Sequence, residues 1–196
     1  LAGSAALLGA STADRHFAGA LRVLAAVAPA ERRVDLLTEA VARSPGDWES
    51  WRRLIAAARQ PALDREGLQA TMRTIEQHGL FAPRFALALA DELIADQSAA
   101  VKLAVYERLS ERLRNSPVVR ARLLVRRADV HASADEVDQA ERLYRRVMDE
   151  FLVAGPVVAE ATAGYRRLLA RDGRMGEAIR QIEYLRKRLD QPATTP

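Results

Sequence analysis

The sequence predicts an all-α protein built from stacked antiparallel helix hairpins. Apolar residues recur three and four positions apart along nearly the whole chain, which is the period of an amphipathic helix. Apolar residues make up 49% of the chain and aromatic residues only 5%, with Ala and Leu prominent, and this composition favours helices over sheets. Short breaks divide the pattern into about ten helices, and short connections make sequential helices antiparallel neighbours. Because so many helices do not fit one simple bundle, we expect a stack of hairpins.

The first two predicted helices end at breaks that contain proline. The first helix extends to Pro29, and the second ends at the turn-forming sequence Ser-Pro-Gly-Asp over 44–47. The apolar face expected for the first helix comprises Phe17, Leu21, Leu24 and Val27. The apolar face expected for the second comprises Val34, Leu37, Ala40 and Val41. We therefore expect these two faces to pack in the core.

The third helix begins at an N-cap and carries both tryptophans. Asp47 immediately precedes this helix and can accept a backbone N–H with its carboxylate. Trp48 and Trp51 are three positions apart and share a helix face, so we expect both to pack against the second helix. Should Trp48 be exposed instead, it becomes a candidate anchor for a partner.

The remaining helices are bounded by the same kinds of signal. Asp64 and Ser98 are N-cap residues, and Pro83 lies in the first turn of its helix. Four helices are then expected over residues 118–131, 134–151, 157–171 and 175–189.

The last two hairpins contain an internal similarity. Ala140, Tyr144 and Val147 have the same mutual spacing as Ala178, Ile182 and Leu185, which lie 38 residues later. Asp135 stands where Gly173 stands, five positions before the small residue. A small residue at this point lets the neighbouring helix cross closely, so the spacing indicates a repeated hairpin.

These features resemble the tetratricopeptide repeat family. The residues that carry the resemblance are Ala40, Pro45, Trp51, Leu54, Ala140, Tyr144, Ala178 and Ile182. The segment Trp-Glu-Ser-Trp over 48–51 is similar to the half-a-TPR variant of the repeat. The resemblance implies a right-handed superhelical array in which the first helix of each hairpin lines a concave, partner-binding face.

The expected organisation is one helical-repeat domain with short flanking segments. The domain spans residues 15–191, and the polar residues 192–196 form a frayed tail. Residues 1–14 are small and apolar; they are either the end of a signal or anchor segment or the first half of a helix.

The sequence offers little for catalysis. Cysteine is absent, and the three histidines, His16, His78 and His131, do not have metal-ligand spacing. Neither a phosphate-binding glycine loop nor a nucleophile motif occurs in the chain. We therefore expect no enzymatic activity, no metal and no cofactor.

Arginines on the first helices of the hairpins are the candidate partner-binding residues, since guanidinium groups bind carboxylates in a bidentate manner. Together with the candidate anchor Trp48, the predicted partner-binding residues are Trp48, Arg52, Arg59, Arg120, Arg127, Arg167 and Arg171. The alternative is a solvated face in which these arginines pair with acids on the same helix, as Arg145 could with Asp149.

A non-catalytic scaffold or adaptor that binds an acidic or extended protein segment is the function this sequence favours. The alternative is a structural subunit or soluble tail of a larger membrane-associated bacterial complex. Nucleic-acid binding is disfavoured because the net charge is only +4 and the basic residues are well mixed with acidic ones along the chain. The composition suits the bacterial cytoplasm and periplasm equally.

Overall fold

The computed structural model describes residues 12–58, 65–79, 82–152 and 154–190. Within these ranges the chain forms ten helices and no strand, which confirms the all-α prediction. The helices are α1 (Thr12–Val27), α2 (Ala30–Arg43), α3 (Trp48–Ala58), α4 (Arg65–His78), α5 (Pro83–Leu93), α6 (Ala99–Arg112), α7 (Pro117–Ser133), α8 (Val137–Glu150), α9 (Gly155–Arg171) and α10 (Met175–Asp190). None of the helices described is both long enough and apolar enough to span a bilayer.

The chain divides into two compact units. The first comprises residues 1–98 with 111–113, and the second comprises 99–110 with 114–196. In the first unit α2 packs against α1, α3 and α4, while α5 packs against α3 and α4. The predicted face of α2 is confirmed, because Val34, Leu37, Ala40 and Val41 are all buried.

The predicted inner face of α1 is confirmed at Leu21 but wrong at its other three residues, because the buried face is rotated about the helix axis. Ala18, Leu21 and Ala25 are buried, whereas Phe17 and Val27 are exposed. Leu24, also predicted inside, is exposed as well. Small side chains let α1 approach α2 closely, so the alanines occupy the contact that the larger residues were expected to fill.

The two tryptophans of α3 have opposite environments. The Asp47 carboxylate accepts the Glu49 backbone N–H at 3.2 Å, which confirms the predicted N-cap. Trp51 is fully buried, and its indole N–H donates to the Pro45 carbonyl at 2.9 Å. Trp48 is 57% exposed, so the expectation that it packs against α2 is wrong. The contact that buries Trp51 therefore does not extend to Trp48, three residues earlier on the same helix.

In the second unit α9 packs against both α7 and α8, and α10 packs against α9. The predicted inner positions Ala140, Tyr144 and Val147 are buried on α8, and Ala178 is buried on α10. These residues belong to one apolar cluster that extends over α7, α8, α9 and the start of α10.

A polar network joins α8, α9 and α10 beside this cluster. The Tyr165 hydroxyl accepts hydrogen bonds from Arg145 at 3.1 and 3.0 Å and donates to Glu141 at 3.1 Å. Burial raises the pKa of Tyr165, so the hydroxyl stays protonated and can donate. Arg174 also donates to Glu141, at 3.0 Å. Arg145 also forms an ion pair with Glu141, at 2.7 Å, which is an acid one turn away on the same helix.

Equivalent turns close the two hairpins of the second unit. Asp135 and Gly173 both have a positive φ, 58° and 73°. After each of them the next N–H returns to a carbonyl five residues earlier, Glu136 to His131 at 3.0 Å and Arg174 to Leu169 at 2.8 Å. This 6→1 bond ends the helix at a residue in the left-handed conformation. Glycine adopts that conformation without strain, whereas aspartate, which has a Cβ atom, is strained in it.

Because of this difference, we expect opposite effects of two substitutions on stability. Asp135→Gly should raise the free energy of unfolding by about 0.5–1 kcal/mol, since it removes the strain of a positive φ. Gly173→Ala should lower it by about 1 kcal/mol. Urea unfolding followed by far-UV circular dichroism measures both. Loss of the exposed Arg171–Asp135 ion pair should matter little, so a destabilised Asp135→Gly would contradict the strain argument.

Candidate functional site

A groove runs between α7 and α9 in the second unit. Both helices begin with a proline in the first turn, where the missing N–H costs no helical hydrogen bond. Each helix has a row of four residues facing the groove, and the two rows have the same spacing. Each member on α9 follows its counterpart on α7 by 38 residues. The rows are Arg122, Arg126, Asp129 and Ser133 on α7, and Glu160, Gly164, Arg167 and Arg171 on α9.

Part of the space between the two helices is a cleft with a volume of about 320 Å³. We call this cleft the α7/α9 groove. Its lining residues are Asp129, Ala132, Ser133, Tyr144, Gly164, Arg167, Leu168 and Arg171. The cleft therefore combines two guanidinium groups with the Asp129 carboxylate, hydroxyl groups and a short apolar floor.

Tyr144 extends from α8 to the groove by passing over Gly164 of α9, where no side chain is present. Its ring is buried, and its hydroxyl donates to the Asp129 carboxylate. A Cβ atom on Gly164 would lie 2.6 Å from Cε1 of Tyr144 and 2.7 Å from its Cζ and hydroxyl oxygen. Only a residue without a side chain can therefore occupy position 164 while the ring lies there.

The hydroxyl of Tyr144 is fixed as a hydrogen-bond donor. Burial raises its pKa far above the ordinary value, and the bond to Asp129 raises it further. The Arg167 guanidinium opposes these effects on the pKa but does not outweigh them. The Asp129 carboxylate therefore accepts from a neutral hydroxyl, and it also lies 4.0 Å from the Arg126 guanidinium.

The two arginines of the α7/α9 groove differ in how they are held. Arg171 donates to the Ala132 carbonyl at 2.7 Å and contacts the Asp135 carboxylate at 3.1 Å. Arg167 is exposed, and it makes no hydrogen bond or ion pair with any residue that the structure describes. Arg167 is thus a cation whose hydrogen-bonding capacity is available to a ligand.

In the other half of the row, both arginines lie close to the same glutamate. Arg126 donates to the Glu160 carboxylate at 2.8 Å, and Arg122 lies 3.9 Å from the same carboxylate. This pairing across α7 and α9 fixes the two helices side by side. Unlike Arg167, both of these arginines therefore have a described acidic partner.

Two of the predicted partner-binding residues, Arg167 and Arg171, lie together in the α7/α9 groove. Arg120 stacks over the Phe151 ring at 5.5 Å, and Arg127 lies 3.8 Å from the Glu107 carboxylate. Both contacts lie away from the cleft, because neither residue lines it.

The other three predicted residues belong to the first unit. The Arg52 guanidinium lies 5.7 Å from the exposed Trp48 ring and donates to Glu49 at 2.8 and 2.9 Å. Bonds from Arg52 and Arg53 lower the pKa of Glu49 to about 2, and this one carboxylate offsets part of the charge of both arginines. Arg59 lies outside the described residues.

Sequence reasoning assigned no site role to Asp129, Ser133, Tyr144 or Gly164. The shared spacing of the rows on α7 and α9 could have identified Asp129, Ser133 and Gly164, because it repeats at the offset that relates Ala140 to Ala178, but it does not include Tyr144 on α8.

The chain matches no protein-family model, and no curated protein or solved structure matches it significantly. Among the residues described, no group of three or more histidine, aspartate or glutamate side chains is placed to hold a metal ion.

Proposed function

We propose that the chain is a non-catalytic protein-interaction module and that the α7/α9 groove binds an acidic segment of a partner protein. The observation that supports this most strongly is the exposed Arg167, which lacks an intramolecular partner in the described structure while the arginines further along the row have one. A carboxylate placed between Arg167 and Arg171 would receive charge-assisted hydrogen bonds, and the Ser133 hydroxyl also lies in the lining.

We also propose that the hairpins α7–α8 and α9–α10 are successive members of a tetratricopeptide-like right-handed array. The equivalent turns at Asp135 and Gly173 support this arrangement, as does the packing of α9 against both helices of the preceding hairpin. In such an array α7 and α9 are first helices, which line the inner, ligand-facing surface.

A charge reversal at Arg167 tests the proposed binding function. We expect Arg167→Glu to weaken binding of a fluorescent oligoglutamate peptide at least about tenfold, because it replaces an attractive contact with a repulsive one. Fluorescence anisotropy at low and at high salt measures this loss, which should shrink as salt screens the charges. An oligoglutamine peptide of the same length should not bind.

The neighbouring Arg166 provides a matched control, because it is exposed on α9 but does not line the groove. Arg166→Glu changes the net charge equally and should leave most of the binding intact. Equal losses in both variants would mean that the peptide responds only to overall charge. That result, or no binding by the unsubstituted protein, would refute the proposal.

A second candidate function is a structural subunit of a larger assembly, and the exposed side of α1 favours it. Phe17, Val23, Leu24 and Val27 are all exposed there, although Phe17 lies 5.2 Å from the Arg43 guanidinium. A surface of this kind is typical of a protein interface. In that case partner capture would depend on the apolar side of α1 and would be insensitive to Arg167→Glu.

A further inference from the structure

A second cleft lies between α1 and α3 in the first unit. Both helices pack against α2, and among the described residues little direct packing joins α1 to α3. The gap between them has a volume of about 250 Å³, and we call it the α1/α3 groove. Its lining residues are Arg22, Ala25, Ala26, Arg33, Leu37, Arg53, Ala56 and Ala57.

The floor of the α1/α3 groove is apolar, and small side chains keep it open. Leu37, Ala25 and Ala57 are buried at its base, whereas Ala26 and Ala56 are exposed on opposite walls. A longer side chain at any of the four alanines would occupy the space. The groove can therefore accept a short aliphatic side chain from outside the chain.

The groove also has guanidinium groups that the surrounding structure holds in place. Arg22 contacts the Asp47 carboxylate and donates to the Ser50 hydroxyl at 3.3 Å. Arg33 donates to the carbonyls of Ala25 at 3.1 Å and Ala28 at 3.0 Å, at the end of α1.

Arg53 completes the positive lining. It donates to the Glu49 carboxylate at 2.7 Å and to the Arg22 carbonyl at 3.4 Å, which bridges α3 to α1. Of the described residues that line the cleft, three are cationic and none is acidic. Asp47, which pairs with Arg22, and Glu49, which pairs with Arg53, do not line the cleft. The charged side chains of the lining are therefore all cationic, although Asp47 and Glu49 offset part of their charge, and a preorganised guanidinium loses little entropy on binding a carboxylate.

We propose that the α1/α3 groove is a second, independent binding site, for a partner segment in which a short aliphatic side chain lies between carboxylates. The apolar floor takes the aliphatic side chain, and the guanidinium groups bind the flanking carboxylates. The site differs in specificity from the α7/α9 groove, whose lining contains the hydroxyl groups of Tyr144 and Ser133 and a carboxylate.

A calorimetric titration with two short peptides tests this second site. One peptide carries a leucine flanked by glutamates, and its control carries serine in place of the leucine. We expect the leucine peptide to bind at both grooves and the serine peptide to bind at the α7/α9 groove alone. Ala56→Glu should weaken the leucine-dependent binding at least about tenfold, because it puts bulk and negative charge inside the cleft.

Two further variants guard against an effect on folding. Ala26→Glu changes the opposite wall of the cleft and should give the same loss. Ala42→Glu is the matched control, because Ala42 is exposed on α2 and does not line the cleft. Circular dichroism should show all three variants to be folded, as each position is exposed.

The outcomes separate this inference from the proposed function. If the leucine peptide binds at one site only, and Arg167→Glu removes that site, the α1/α3 groove is not a binding site and the proposed function stands. Unchanged leucine-dependent binding in both Ala56→Glu and Ala26→Glu would also overturn the inference. Loss of the leucine-dependent site in these variants, with retention in Arg167→Glu, supports it whether or not the α7/α9 groove binds.

Discussion

Trp51→Ala is expected to destabilise the protein by about 3–5 kcal/mol, the range for removing a fully buried aromatic side chain. The side chain is fully buried in the first unit, so truncation leaves a cavity. Its loss also leaves the Pro45 carbonyl without the indole donor. Since small domains are stable by only about 5–15 kcal/mol, the loss is a large fraction of the total. Urea unfolding followed by circular dichroism measures the change.

Trp48 is the matched control, because it lies one helical turn away on the same helix. Its side chain is 57% exposed, so Trp48→Ala should change the free energy of unfolding by no more than about 0.5 kcal/mol. Trp51→Phe keeps most of the apolar volume and should cost less than Trp51→Ala. Equal losses at 48 and 51 would mean that Trp48 is buried in solution and would contradict the assigned environments.

The opposite environments of these tryptophans show how far the sequence determines the fold. Helical periodicity predicts the faces of α2 and α8 because large apolar residues dominate their contacts, as Leu37 and Tyr144 do. On α1 the contact is made through Ala18 and Ala25, and periodicity alone does not tell a close crossing of small residues from an exposed face. The side of a helix that packs is therefore predictable when it is also the bulkier side.

The candidate site was predictable only in part. Arg167 and Arg171 follow from their predicted place on the first helix of a hairpin and their spacing of four. The cleft between them and α7 depends on contacts between residues distant in sequence, such as Arg126 with Glu160 and Tyr144 with Asp129. These pairs become apparent only when α7, α8 and α9 are placed against one another. Gly164 likewise reads as an unfavourable residue inside a helix until the position of the Tyr144 ring is known.

Gly164→Ala is expected to lower the free energy of unfolding, although alanine is the better helix former. The helix propensity of alanine favours the substitution by about 1 kcal/mol. Against it, the new methyl group would lie 2.6 Å from Cε1 of a ring that is enclosed in the core, and such overpacking costs about 1–3 kcal/mol or more. Because the ring is a rigid body and not the end of a flexible chain, we expect the steric cost to be the larger, with a net loss of about 1–2 kcal/mol.

Gly176→Ala is the control for helix propensity in the same unit. The nearest atom to a Cβ at this position of α10 is the Arg180 Nη1, at 3.8 Å, so the substitution should be neutral or slightly stabilising. A double-mutant cycle then isolates the contact with Tyr144. In a Tyr144→Leu background, which removes the ring atoms concerned, Gly164→Ala should no longer destabilise the protein and should show the gain from propensity. If Gly164→Ala stabilises the unsubstituted protein as Gly176→Ala does, the ring does not lie against α9. In that case the Tyr144 hydroxyl cannot donate to Asp129, and the residues that form the floor of the α7/α9 groove are not the ones described here.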